Sequence, residues 1–207
     1  MDGTVFDTER IYREAWFYAA EEIGFQGDMN EVMQIIFGVS ESDIGKYFYR
    51  THGNDFPYEK MLSIRAARIA QRIEEEGVPF KPGVPEVFSR LREKGIRSAL
   101  VTSAPAFRVT DFLKRSGLDT CFSAVITGER VKKSKPSPDI FLLAAKELGL
   151  APEECMVVED SHNGAKAGYN ANMPVVLIPD LQAYTEEIAP CVTHCLASLA
   201  ELSDLFE

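Results

Sequence analysis

From about residue 97 onward, short apolar runs alternate with amphipathic stretches, and this alternation constrains the fold more than any other feature of the chain. The runs are SALVTS, SAVIT, CMVVED and PVVLIP, with a weaker CVTHCL near the end. Each has strand length, and the segments between them carry helical periodicity. Strands that alternate with helices are joined by crossovers and lie parallel. The expected class is α/β, with a doubly wound, Rossmann-like parallel sheet.

The punctuation agrees. Helix 105 to 116 should stop at Gly117, and helix 138 to 148 at Gly149, because glycine takes the left-handed conformation that ends helices. Ser137-Pro138-Asp139 reads as a helix start, with a capping hydroxyl, a proline at the first helical position and an acid in the first turn. Residues 8 to 77 differ, carrying helical periodicity throughout and no convincing strand. TERIYREAWFYAAEEIGF puts its apolar positions, Trp16 among them, on one broad stripe; NEVMQIIFG, SESDIGKYFYRTHG with a capping-box start at Ser40, and PYEKMLSIRAARIAQRIEEEG suggest further helices. VPFKPGVP then reads as a hinge back to the sheet, ahead of a helix over 84 to 94. The expected organisation is a core of residues 1–7 and 80–207, with a helical insert at 8–79.

A length of 207 residues suits one core domain with a small insert. No apolar run approaches the roughly 20 residues of a membrane span, and no basic-then-apolar leader precedes the first motif. A cytoplasmic location is the default expectation. The formal net charge of -10 argues against a nucleic-acid surface, which needs clustered Lys and Arg. It leaves a small phosphorylated ligand open, since GERVKKSK gathers Arg130, Lys132, Lys133 and Lys135 locally. The four cysteines, at 121, 155, 191 and 195, form no Cys-x-x-Cys and read as reduced thiols. His52, His162 and His194 do not make a metal set with one another.

Four segments carry chemistry in a fixed order: MDGTVFDTE at the start, SALVTSAP with Thr102, KKSKPSPDIF with Lys135, and MVVEDSHNG with Glu159 and Asp160. Taken singly, Asp2 is a turn residue before Gly3, Thr102 a threonine closing a strand, Lys135 a surface lysine, and Glu159-Asp160 a cap for a helix starting near Ser161. Together they resemble the haloacid dehalogenase superfamily, in its branch with a helical cap, which includes small-metabolite phosphatases and β-phosphoglucomutases. The resemblance spans nearly the whole chain. That family opens on Asp-x-Asp-Gly-Thr, and alignment on Gly3 and Thr4 makes Asp2 the second aspartate. The first, the nucleophile, falls just before Met1. The strand leading into it is also lacking, and in the family it lies between the strands that carry Thr102 and Asp160. The expectation is therefore about eight further residues in the natural protein, a strand length plus the aspartate, and an open sheet centre without them.

The resemblance implies a Mg²⁺-dependent phosphohydrolase that forms an aspartyl phosphate. Asp2 would be general acid and base, its backbone carbonyl helping to hold Mg²⁺. Asp160, assisted by Glu159, would be the side-chain metal anchor. Thr102 and the backbone N–H of Ser103 would bind a phosphate oxygen, and Lys135 would neutralise the phosphate. Asp7, Thr8 and Glu9 would form a short flap into the cap. A mutase typically carries a His on the first cap helix and an Arg after a Gly-Val-Ser stretch; Tyr12 and Glu41, after Gly38-Val39-Ser40, stand at the matching positions. An acid there would repel the second phosphate of a sugar bisphosphate, so hydrolysis is favoured over mutase chemistry. A non-catalytic phosphate-binding variant is the alternative from another class. Sugar phosphates, nucleotide monophosphates and glycolate-type phosphates all remain open as substrates, and a monomer is expected.

Overall fold

The computed structural model describes residues 1–36 and 41–206, and the side chains of these except at positions 41, 42 and 206. The chain separates into two compact units, Thr8–Gly77 and the combination of Met1–Asp7 with Val78–Glu207.

The smaller unit is helical: α1 (Thr8–Glu22), α2 (Met29–Ile36), α3 (Glu41–His52) and α4 (Tyr58–Glu76). Asp28 starts α2, its Oδ1 accepting from the Asn30 backbone N–H at 2.7 Å. The apolar stripes meet around Phe48, which is fully buried and stacks on Phe56 at 4.9 Å and on Trp16 at 6.2 Å. Trp16 is a core residue, as its position on the stripe requires. His52 packs edge-on to Phe25 at 5.1 Å and so belongs to the same aromatic cluster. Tyr12 lies on α1 with the Arg65 guanidinium over its ring at 5.8 Å. Gly38, Val39 and Ser40, and the Glu41 side chain, lie outside the described residues.

The larger unit holds α5 (Val84–Glu93), β1 (Ala99–Thr102), α6 (Ala106–Ser116), β2 (Ala124–Thr127), α7 (Asp139–Leu148), β3 (Val157–Glu159), α8 (His162–Asn170), β4 (Val175–Leu177) and the short β5 (His194–Cys195). All paired strands are parallel. α6 and α7 end at Gly117 and Gly149, both left-handed. The start of α7 differs from expectation. Pro138 occupies the capping position with no side-chain cap, and the Ser137 hydroxyl donates to the Asp139 carboxylate at 2.7 Å.

The strands form two sheets, β1-β2 and β3-β4-β5. Among the described residues, no strand pairs with the second edge of β1 or of β3. A mostly apolar cavity of about 490 Å³ adjoins both strands, lined by Ala99 to Val101, Val157 to Glu159 and Met1, with Phe88 of α5 and Phe141 of α7. The sheet is thus open at its centre. Residues 1 to 7 make a tight loop rather than a strand: the N–H groups of Val5 and Phe6 both donate to the Met1 carbonyl, at 2.8 and 3.0 Å. Phe6, fully buried, anchors that loop by stacking on Phe80 at 5.9 Å and meeting Phe112 edge-on at 5.7 Å. Among the described residues no helix is long and apolar enough to cross a membrane.

Candidate active site

Parallel strands bring their carboxyl ends to one side of a sheet, and the residues at those ends are polar in an otherwise apolar core. Thr102 closes β1 beside Thr127, which closes β2; Glu159 closes β3. Thr102 is 4% exposed, and its Oγ1 accepts from the Ala104 N–H at 3.0 Å, which turns the strand toward α6. Ser103 and Lys135 line one depression of about 260 Å³ with Gly128, Glu129 and Ser134. The peptide between Lys135 and Pro136 is cis.

Lys135 ion-pairs with Glu159 Oε1, and its Nζ lies 4.9 Å from the centroid of the Phe141 ring. The other oxygen of Glu159 accepts from the Ser161 hydroxyl at 3.0 Å and, at longer range, from the N–H groups of Asp160 and Ser161. Burial opposes the charge on Glu159, but the Lys135 ammonium, the N-terminal amine of Met1 and the Ser161 hydroxyl outweigh it and hold the carboxyl below its ordinary range. Both oxygens of Glu159 accept from protein donors, Lys135 on one side and Ser161 on the other. Gly164 makes room for this: a Cβ there would stand 2.0 Å from Glu159 Oε2.

Asp160 is arranged differently. Its Oδ1 accepts from the Thr4 hydroxyl at 2.7 Å, and its Oδ2 lies against Gly3, where a Cβ would stand 2.3 Å away. Gly3 has φ +74, so both its conformation and its bare Cα suit glycine. Burial, then the neighbouring charge of Glu159, push the Asp160 pKa up to about 6. A partly buried carboxylate held against its own charge in this way fits a cation ligand. Asp160 does not cap α8; Ser161 does, its Oγ accepting from the Gly164 N–H at 3.1 Å. Among the described residues no three His, Cys, Asp or Glu side chains gather to hold a metal by themselves, so a cation at Asp160 would draw on backbone carbonyl and water, ligands that suit Mg²⁺.

Asp2 faces Arg108 of α6, with the guanidinium 3.3 Å from its Oδ2. On the far side, Lys81 bridges Asp180 at 2.7 Å and Asp7 at 3.5 Å. Burial works against the Lys81 ammonium, but the hydrogen bond and charge of Asp180, with Asp7 behind them, hold its pKa above the ordinary lysine value. Thr4, Arg108, Ser161, Lys81 and Asp180 are site neighbours that sequence reasoning passed over. Thr4 and Ser161 stood inside quoted motifs, whereas nothing local distinguishes Arg108, Lys81 or Asp180. Of the histidines, His162 makes a 2.9 Å contact through Nε2 with the Ala183 carbonyl oxygen.

Residues 1–178 match the family described as haloacid dehalogenase-like hydrolase. The chain is 33% identical over 182 residues to hexitol phosphatase A of Escherichia coli, covering 86% of this chain and 80% of that protein. It is 31% identical over 173 residues to a phosphorylated carbohydrates phosphatase of Thermotoga maritima, covering 84% and 79%. The crystal structure of CbbY from Rhodobacter sphaeroides in complex with xylulose-(1,5)bisphosphate superposes with a TM-score of 0.77 at 26% identity, over 98% of this chain and 93% of that one. A parallel α/β core, matched by the family over residues 1–178 and by relatives over most of both chains, identifies the chain as a member of the haloacid dehalogenase-like hydrolases.

Proposed function

We propose that the protein is a Mg²⁺-dependent phosphatase of a small phosphorylated metabolite, acting in the cytoplasm as a monomer. The observation that carries this reading is the split between two adjacent carboxylates. Glu159 is neutralised by Lys135 and held by Ser161, whereas among the described residues the Asp160 carboxylate takes a hydrogen bond from the Thr4 hydroxyl and no ion pair, which leaves it able to bind a cation. Asp160 and the Asp2 backbone carbonyl would hold Mg²⁺, which when bound offsets the repulsion between a phosphate dianion and the carboxylates around it. The nucleophile would be the first aspartate of the family's opening motif, which takes the phosphoryl group as an aspartyl phosphate while the leaving oxygen departs.

The chain's own residues supply the rest. Lys135 brings positive charge to the depression it shares with Ser103, where the start of α6 offers backbone N–H groups to phosphate oxygens. Asp2 protonates the leaving oxygen and then takes a proton from the attacking water. Arg108, against its carboxylate, limits the rotamers from which it can do so. The relatives named for hexitol and carbohydrate phosphates favour a phosphosugar as substrate.

The test is phosphate release from p-nitrophenyl phosphate by a form extended ahead of Met1 with an apolar strand ending in Phe-Asp. Turnover should require Mg²⁺ and stop with EDTA; turnover that resists EDTA refutes the metal assignment, and no turnover by a folded extended form favours a phosphate-binding role. Conversion of β-glucose 1-phosphate to glucose 6-phosphate by the same form would replace hydrolysis with mutase chemistry.

A further inference from the structure

A second set of charges lies beside the loop that carries Gly3. Asp180 follows the end of β4, and its Oδ1 accepts from Lys81 at 2.7 Å. Its Oδ2 is buried and has no hydrogen-bond donor among the described residues. That oxygen is directed at Gly3: a Cβ there would stand 3.2 Å from Asp180 Oδ2 and 2.3 Å from Asp160 Oδ2. Two carboxylate oxygens, from the ends of neighbouring strands, therefore flank one glycine. Leaving a buried acceptor without a donor costs about 1 to 3 kcal/mol, and more when it is charged, so the arrangement calls for a partner.

We propose that Asp180 is a positioning residue for the cation site at Asp160. Its Oδ2 accepts a hydrogen bond from a water of the cation's hydration shell, and Lys81 turns the carboxylate so that this oxygen faces Gly3. Mg²⁺ keeps several of its waters when bound to protein, and their protons need acceptors just beyond the ligands. Outer acceptors of this kind orient what the metal holds. Lys81 is placed to fix the geometry, because its own backbone is laced to the same loop. Its N–H donates to the Val5 carbonyl at 2.9 Å, and the Asp7 N–H donates to the Pro79 carbonyl at 2.9 Å. One lysine thus ties Asp180 to the segment that carries Gly3 and Thr4.

The proposal rests on Asp160 as the side-chain anchor of the cation, and the experiment separates the two. Thermal unfolding of the chain is followed across a Mg²⁺ titration for the unchanged protein, Asp180→Asn, Asp180→Ser and Lys81→Met. Asp180→Asn should raise the half-saturating Mg²⁺ concentration about tenfold or more, Asp180→Ser should do the same, and Lys81→Met, which frees the Asp180 carboxylate to turn, should raise it as well. A purely structural role for Asp180 would lower the unfolding temperature without Mg²⁺ and leave the half-saturating concentration where it was, which overturns the proposal. Absence of any Mg²⁺ response in the unchanged protein sinks the anchor assignment of Asp160 and this proposal with it.

Discussion

Asp160→Asn should make the metal-free protein more stable, because the wild-type side chain holds its charge against its surroundings. Burial and the charge of Glu159 lift its pKa from 3.8 to about 6. One pKa unit corresponds to about 1.4 kcal/mol, so keeping the carboxylate ionised at pH 7 costs the metal-free fold about 3 kcal/mol. Asparagine has nearly the same shape and keeps an oxygen for the Thr4 hydroxyl, 2.7 Å away in the wild type. The gain at pH 7 is therefore up to about 3 kcal/mol, or roughly 6 to 12 °C in unfolding temperature for a chain of this length. The pH dependence has a definite sign. Between the two pKa values the folded state keeps a proton that the unfolded state has lost, so this group's contribution falls as pH rises from near 4 through about 6, then levels off. The variant lacks that slope, so its advantage grows from almost nothing at pH 4 to its full value by pH 7. Urea unfolding in EDTA across that range measures the difference directly, and adding Mg²⁺ should favour the wild type alone. A variant less stable than wild type at pH 7 in EDTA, or an advantage independent of pH, would refute the reasoning.

Two further outcomes follow from the Lys135 and Glu159 pair, whose side chains are 12% and 8% exposed. Lys135→Met leaves a buried carboxylate without its cation and should cost about 3 to 5 kcal/mol at neutral pH. In the wild type the stability contributed by Glu159 is present above its ordinary pKa and lost as pH falls through the lowered folded value; the variant loses the largest cause of that lowering, so its stability should depend less on pH in that region, a change that urea unfolding against pH detects. Gly164→Ala should destabilise the protein even though alanine is favoured over glycine within helices by about 1 kcal/mol. The added methyl would meet Glu159 at 2.0 Å, and that carboxylate is pinned from two sides; a raised unfolding temperature would contradict the packing described.

The part of this protein that is legible from its residues is the part governed by near neighbours. Apolar runs of strand length became β1 to β4 because a buried parallel strand needs apolar side chains on both faces, and CVTHCL, the weakest of them, became only the two-residue β5. Gly117 and Gly149 end their helices because a left-handed residue closes the last turn, whatever packs around it. The start of α7 misled a local reading in spite of three favourable residues, since the helix begins at Asp139 and leaves Pro138, not Ser137, at the capping position. In the candidate site, the order of the motifs singled out Thr102, Lys135, Glu159 and Asp160, but it could not tell apart the surroundings of the two adjacent acids. That difference depends on which donors arrive from elsewhere: Lys135 from the loop after β2 for Glu159, and Thr4, 156 positions away in the chain, for Asp160.

Sequence by itself determined the helical segment at one end, the run of α/β elements after it and, through its ordered motifs, the family, because each is written in neighbouring residues. Only the tertiary structure decided that Asp2 meets Arg108, that Lys81 joins Asp7 to Asp180, and that Gly3 is flanked by two carboxylates. Those pairings join residues about 70 to 180 positions apart. Charge attraction between them acts only once the strands and helices have brought their ends together, and no local pattern records which ends will meet.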